Sequence, residues 1–241
     1  MKEIQYNIER VLQVESSDCV QACASQVLKY YGATKSIDDI KKEVPVSYDS
    51  QGHPVGSSVG HIAAYFAELG FRTTMHVADV WFLDRTWIGL GTEELLAKIE
   101  KRVPFLKHGI YEQDLIKVIA DGYVLFLKKG GILQYPVVDE SYLYLLLQRG
   151  PIYAVVNVQF LYDQPRLKYD EATKQYEPSD IEGVPLTHAI LIDGYKDGQF
   201  HLVDPDDPKD KLPKWVAANK LVGAYYLSDI NLDCMLVTLE K

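Results

Sequence analysis

Two parts of the chain carry residues whose types and order suit nucleophilic chemistry. In the first, Gln13-Val-Glu-Ser-Ser-Asp18-Cys19, a short polar loop feeds a helical pattern with a cysteine in its first turn. Unsatisfied backbone N–H groups and the positive end of the helix dipole favour a thiolate there, the nucleophilic form of the side chain. Gln13, upstream in the same loop, is placed to donate its amide N–H to an oxygen that gains charge at that spot, together with the Cys19 N–H. In the second part, Leu-Thr-His188-Ala-Ile-Leu-Ile-Asp193 is followed by His201-Leu-Val-Asp204-Pro205. His188 opens a strand buried on both faces, so its ring is held at the strand mouth with one edge near solvent. A thiol, an imidazole to take and return its proton, and a carboxylate to orient the ring make an acyl-transfer site.

Each residue also has a plainer reading. A cysteine is more commonly a small buried apolar residue, and that is the expectation for Cys23, one helical turn after Cys19. A buried histidine is often simply hydrogen-bonded, a glutamine before a helix is unremarkable, and Asp204-Pro205-Asp206-Asp207-Pro208 reads as a strand-ending turn. Of the other histidines, His53, His76 and His108 fall in loops or strand ends without a partner pattern, and His61 lies on a helix where packing accounts for it.

The spacing of His188 and Asp204 sets a condition on the hairpin between them. A two-residue turn at Asp197-Gly198 would put Ala189 on the same face as Asp204 and turn His188 to the other face. A three-residue turn, Lys196-Asp197-Gly198, moves the register by one. Ile190 then opposes Asp204, with His188 diagonal to it on the same face. The catalytic reading therefore predicts the three-residue turn. Asp193, odd-numbered with respect to His188, falls on the opposite face.

The elements that must position these groups divide the chain. Apolar spacing and turn residues predict helices over 18–31, from Ser36 with Asp39 in a capping box, from Ser57 or Ser58 to Gly70, from Thr92, over 114–120, and from Ser141 to Gly150-Pro151. A short strand covers 71–77. Beyond Pro151, β-branched and aromatic residues predict strands over 152–160, 189–195, 199–203 and 234–239, with 162–184 an exposed excursion. The expectation is an α+β fold in one domain over 1–241. A helical half runs to about 149 and a β-rich half from about 150, and the nucleophile helix packs on an antiparallel sheet.

Composition bounds the function. The 241 residues are 47% hydrophobic and 24% charged, ordinary for a globular chain, and the net charge of −9 argues against a nucleic-acid partner and against an anionic membrane surface. No signal peptide or membrane span is read, and three cysteines do not make a disulfide scaffold, so a cytoplasmic, reduced protein is expected. The seventeen tyrosines read as packing. No cofactor is called for, and a zinc site using Cys19, Cys23 and a histidine lacks a second ligand pair.

At these residues the chain resembles a known family. Gln13, Asp18-Cys19, Ala22-Cys23, Lys29-Tyr30-Tyr31-Gly32, and later His188-Ala189 with Asp204-Pro205, resemble the motifs of the C39 peptidases. These are papain-like cysteine proteases, often fused to ABC exporters, that cut leader peptides after a double glycine. The resemblance implies Cys19 as nucleophile, His188 as general base, Asp204 as orienting residue and Gln13 as oxyanion donor. It spans about the first 32 residues and 150–208. Val20 stands where the family has glycine, which implies a crowded cleft, and a long stretch between Cys19 and His188 implies an insertion that reshapes or covers the site. The expected activity is hydrolysis of a peptide or other amide bond in a peptide or protein substrate. An acyltransferase using the same acyl-enzyme, and a peptide-binding domain without catalysis, are the alternatives.

Overall fold

The computed structural model describes residues 1–106, 113–207, 211–232 and 234–241, leaving out the side chains of 230 and 231. His108 and Pro208 lie outside the described residues. In chain order the elements are β1 (Ile4–Gln5), α1 (Cys19–Tyr30), α2 (Ile37–Glu43), β2 (Ser47–Tyr48), β3 (Pro54–Gly56), α3 (Val59–Glu68) and β4 (Arg72–Val77). Then come α4 (Thr92–Arg102), α5 (Gln113–Lys128), β5 (Ile132–Gln134), α6 (Glu140–Leu147), β6 (Ile152–Asn157) and α7 (Val158–Tyr162). The chain ends with β7 (Leu167–Asp170), β8 (Gln175–Pro178), β9 (Thr187–Lys196), β10 (Gln199–Val203), β11 (Trp215–Ala217), α8 (Ala218–Tyr226) and β12 (Met235–Glu240).

An eight-stranded sheet in the order β11-β10-β9-β6-β12-β4-β5 forms the centre, antiparallel except for the β4–β5 pair. β1 takes the place beside β9 where β6 has ended, pairing Ile4 with Tyr195 and Gln5 with Gly194. Alternation along the strands loads both faces. Met75, Tyr153, Val155, Ala189, Leu191 and Val237 pack with α1, α3 and α5. Ile152, Ala154, Val156, Ile190, Ile192 and Leu236 pack with α6 and α8. With helices on both faces, β6 and β9 are buried along nearly their whole length, which is why they read as continuous apolar runs. The fold is thus α+β with α1, the helix that starts at Cys19, packed on a largely antiparallel sheet, as the sequence predicts, although β4 and β5 come from the helical half.

Local details follow the side chains. Ser36 Oγ accepts the Asp39 N–H at 3.1 Å and caps α2, which buries Ile37, Ile40 and the Val44 that follows it. Gly32 and Gly70, at φ 81° and 90°, end α1 and α3 in the left-handed region that glycine adopts without strain. The predicted helix over 114–120 runs on to Lys128 because Tyr123, Phe126 and Leu127 continue the buried stripe. Gly122 is part of that helix rather than its end. A Cβ on Gly60 would come within 2.6 Å of the Gly122 carbonyl carbon, so α3 and α5 cross backbone to backbone. The predicted strand over 152–160 stops at Asn157, whose Oδ1 accepts the Phe160 N–H at 2.9 Å and caps the one-turn α7.

The excursion over 162–184 folds into the β7–β8 hairpin, which docks on β2–β3. The Tyr176 hydroxyl donates to the Pro54 carbonyl at 3.0 Å, and the His53 ring lies 4.4 Å from that of Tyr169. No helix among the described residues is long and apolar enough to cross a membrane.

One buried acid gives the fold a pH dependence. Asp79, 3% exposed in the turn after β4, accepts the Trp81 and Phe82 N–H groups, each at 2.8 Å. Burial pushes its carboxyl up to about 7, and the neighbouring Asp229 carboxylate adds to this. The folded protein therefore holds this proton more tightly than the unfolded chain. The stabilisation is complete below the ordinary aspartate range and is lost as pH rises toward about 7. Urea unfolding should show Asp79→Asn more stable than the wild type at about pH 8 by a few kcal/mol, with little difference near pH 4. A gain equal at both pH values would contradict this.

Candidate active site

α1 begins at Cys19 with no side chain capping it. The Asp18 carboxylate turns back instead, accepting the Glu15 N–H at 3.1 Å and pairing with Lys41 of α2 at 2.8 Å, and it is 1% exposed. The first intrahelical bond is Ala22 N–H to the Asp18 carbonyl, so the amide of Cys19 stays outside the helical ladder. Cys19 is half-buried. Val20 is turned into the core at 4% exposure.

His188 is the second residue of β9, opposite Val156 of β6. Its Nε2 shares a hydrogen bond with Asp204 Oδ1 at 2.8 Å. The Cys19 sulfur lies near enough to the ring to act on its ionisation. Burial alone would push this imidazole down. The Asp204 carboxylate and then the Cys19 sulfur outweigh it and hold the ring well above its ordinary 6.5. Asp204, 6% exposed, is pushed up by burial and pulled down by His188, Tyr162 and the Asp206 N–H, with a net lowering. Each group thus favours the charged form of the other.

The register that joins them differs in origin from the one predicted. Gln199 pairs with Lys196, so the turn is the two-residue Asp197-Gly198, both at positive φ (49° and 78°). That turn by itself would have separated His188 and Asp204. A bulge restores them, because the pairing passes from His201↔Gly194 to Leu202↔Ile192 and leaves Asp193 without a partner on β10. Val203 then faces Leu191, and Asp204 continues opposite Ile190.

The N-terminal segment grips the bulge. The Asp193 carbonyl accepts the Tyr6 N–H at 2.8 Å, and its fully buried carboxylate accepts from the Ile8 N–H at 2.9 Å and the Gln5 amide at 3.3 Å. The same carboxylate meets His201 Nδ1 at 2.5 Å. His201 and Asp193 thus form a second, structural pair. His76 is held by Tyr142 and Thr238, and His53 by Asp49 and Glu171.

Gln13 arrives by backbone ties. Its N–H donates to the Pro205 carbonyl at 3.0 Å, and Gln26 of α1 holds the Val11 carbonyl at 3.3 Å. The Gln13 amide reaches the Ser16 carbonyl at 3.5 Å, and its buried Oε1 has no hydrogen-bond partner among the described residues. The loop carrying Gln13 is therefore fastened both to the nucleophile helix and to the segment just after Asp204. Cys23 lies in the core as expected, its thiol donating to the Ala189 carbonyl at 3.2 Å and so pinning α1 to β9 next to His188.

Sequence reasoning missed Tyr162. From the end of α7 its hydroxyl donates to Asp204 Oδ2 at 2.7 Å. With Asp204, Arg10, His201 and Leu212 it lines a cavity of about 300 Å³. The available signal was Asn157, an N-cap residue ahead of Val-Gln-Phe-Leu-Tyr, which turns a strand into a helical turn.

No protein-family model matches the sequence, and no curated protein matches it. Solved structures do. A presumed C39-like peptidase from Bacillus anthracis superposes with a TM-score of 0.54 at 12% identity, covering 100% of this chain and 98% of that one. The peptidase domain of Streptococcus ComA, a bifunctional ABC transporter of a quorum-sensing pathway, gives a TM-score of 0.45 at 15% identity over 97% and 98% of the two chains. This chain shares the fold of that C39-like structure from Bacillus anthracis.

Proposed function

We propose that the protein is a cysteine hydrolase acting on a peptide or other amide bond through Cys19, His188 and Asp204, with Gln13 as oxyanion donor. The observation that supports this most is the 2.8 Å hydrogen bond between the His188 ring and the buried Asp204 carboxylate, with the Cys19 sulfur near enough to raise the ring's affinity for its proton. The cysteine thiolate attacks the carbonyl carbon, and the resulting oxyanion takes hydrogen bonds from the Cys19 N–H and the Gln13 amide. Collapse breaks the C–N bond, and the imidazolium gives its proton to the leaving amine. A thioester remains, with His188 neutral. His188 then takes a proton from water as the hydroxide equivalent attacks the thioester. The acid departs, and the thiolate–imidazolium pair is restored. Throughout, Asp204 keeps the ring aligned and its Nε2 proton in place.

This reading gives sharp expectations for reactivity. Cys23 and Cys234 are fully buried, burial pushes both thiols up, and Cys234 reaches about 12. Iodoacetamide should therefore label Cys19 alone in the native protein and all three cysteines after unfolding. Equal labelling of Cys19 and the buried thiols would count against it.

A peptide-library or acyl-probe profile should show turnover that Cys19→Ser abolishes. Gln13→Ala should lower kcat by roughly a hundredfold or more, the usual loss for one oxyanion donor. Activity should persist above neutral pH and fall only as His188, held well above 6.5, loses its proton. Added amine in the same assay separates hydrolysis from acyl transfer by the product formed. Wild type and Cys19→Ser behaving alike would leave only a binding role.

A further inference from the structure

Asp204 is held at both oxygens, and the two are treated unequally. Oδ1 takes His188 Nε2 and the Asp206 N–H, each at 2.8 Å, while Oδ2 takes the Tyr162 hydroxyl at 2.7 Å. A buried carboxylate oxygen left without a donor carries a desolvation penalty and lets the group turn about its last bond. We infer that Tyr162 is a positioning residue for the reaction proposed above, fixing Asp204 through Oδ2 so that Oδ1 stays aimed at His188.

The placement of Tyr162 is itself built from the elements of the site. β6 pairs with β9 through Val156↔His188 and Asn157↔Thr187, and the chain leaves that pair directly into α7, capped by Asn157. One turn later it delivers Tyr162, and Asp163 then leaves in the left-handed region at φ 53°, tied to Lys220 of α8. The register that sets His188 thus also sets the phenol. Burial first, and then the Asp204 charge, push the Tyr162 hydroxyl upward, so it stays a neutral O–H donor at any working pH. A water from the neighbouring cavity would offer a donor too, but an unanchored one; the phenol gives a donor of fixed direction.

This inference rests on the Cys19–His188–Asp204 reading, and the test separates the two. The rate of Cys19 alkylation by iodoacetamide, which needs no known substrate, is measured in wild type, Tyr162→Phe, Asp204→Asn and the double variant. If wild-type Cys19 reacts no faster than a free thiol, the proposed function fails. If it does react faster, Tyr162→Phe should slow alkylation about threefold to tenfold, the net effect of one ordinary intramolecular hydrogen bond. In the Asp204→Asn background the same change should cost almost nothing, because the two residues act through one carboxylate.

Carbon-13 NMR of the Asp204 carboxyl should show its titration moving up in Tyr162→Phe, since Tyr162 contributes to its lowering. Equal slowing in both backgrounds, or an unmoved titration, would reduce Tyr162 to packing. Should Tyr162→Phe fail to fold, 3-fluorotyrosine placed at 162, a stronger donor, should move that titration down; no movement overturns the inference.

Discussion

A single unpaired residue in one strand decides whether this molecule has a site. His188 and Asp204 lie on strands joined by a tight two-residue turn, and an unbroken ladder from that turn would send their side chains to opposite faces of the sheet. The bulge at Asp193 shifts the register by one and brings the imidazole and carboxylate together. A bulge needs something to stabilise its unpaired residue, and here β1 and its continuation to Ile8 supply the donors. The N-terminal strand thus helps to place His188 and Asp204 side by side, although it lends neither of them a hydrogen bond.

Electrostatics then works against burial and wins. Taking an imidazole and a carboxylate out of water penalises both charged forms. Each charged form is favoured by the other group 2.8 Å away, and the Tyr162 hydroxyl and the Asp206 amide satisfy the rest of the carboxylate. The same burial acting on Cys23 and Cys234 pushes both thiols up. Three cysteines of one chain are sorted into one accessible sulfur and two structural ones by what surrounds them.

Much of this was legible in the sequence, and the rest was hidden for physical reasons. The nucleophile helix, the His188 strand and the α+β plan follow from periodicity, because periodicity reports burial and these elements are buried. The register of His188 with Asp204 was predicted for the wrong cause. Local turn chemistry pointed to a choice at Lys196-Asp197-Gly198, whereas the shift occurs at Asp193 under the influence of residues 5–8, nearly two hundred positions away. Tyr162 was invisible because its role depends on where a strand stops, and strand ends are the weakest part of any periodic signal. β5 and β11 are only three residues each, too short to show a period.

The crossing of α3 and α5 bears on how such a chain can change over time. Most of the core is generic aliphatic and aromatic packing, which accepts one apolar side chain for another of similar volume. At Gly60 no such exchange exists, because even a methyl group would meet the backbone of Gly122 and Tyr123, and at Gly122 it would meet the Ser58 hydroxyl and the His61 ring. Drift is therefore free almost everywhere and closed at a few points fixed by geometry. A lineage can in this way lose recognisable similarity of sequence while its helices keep meeting at the same place.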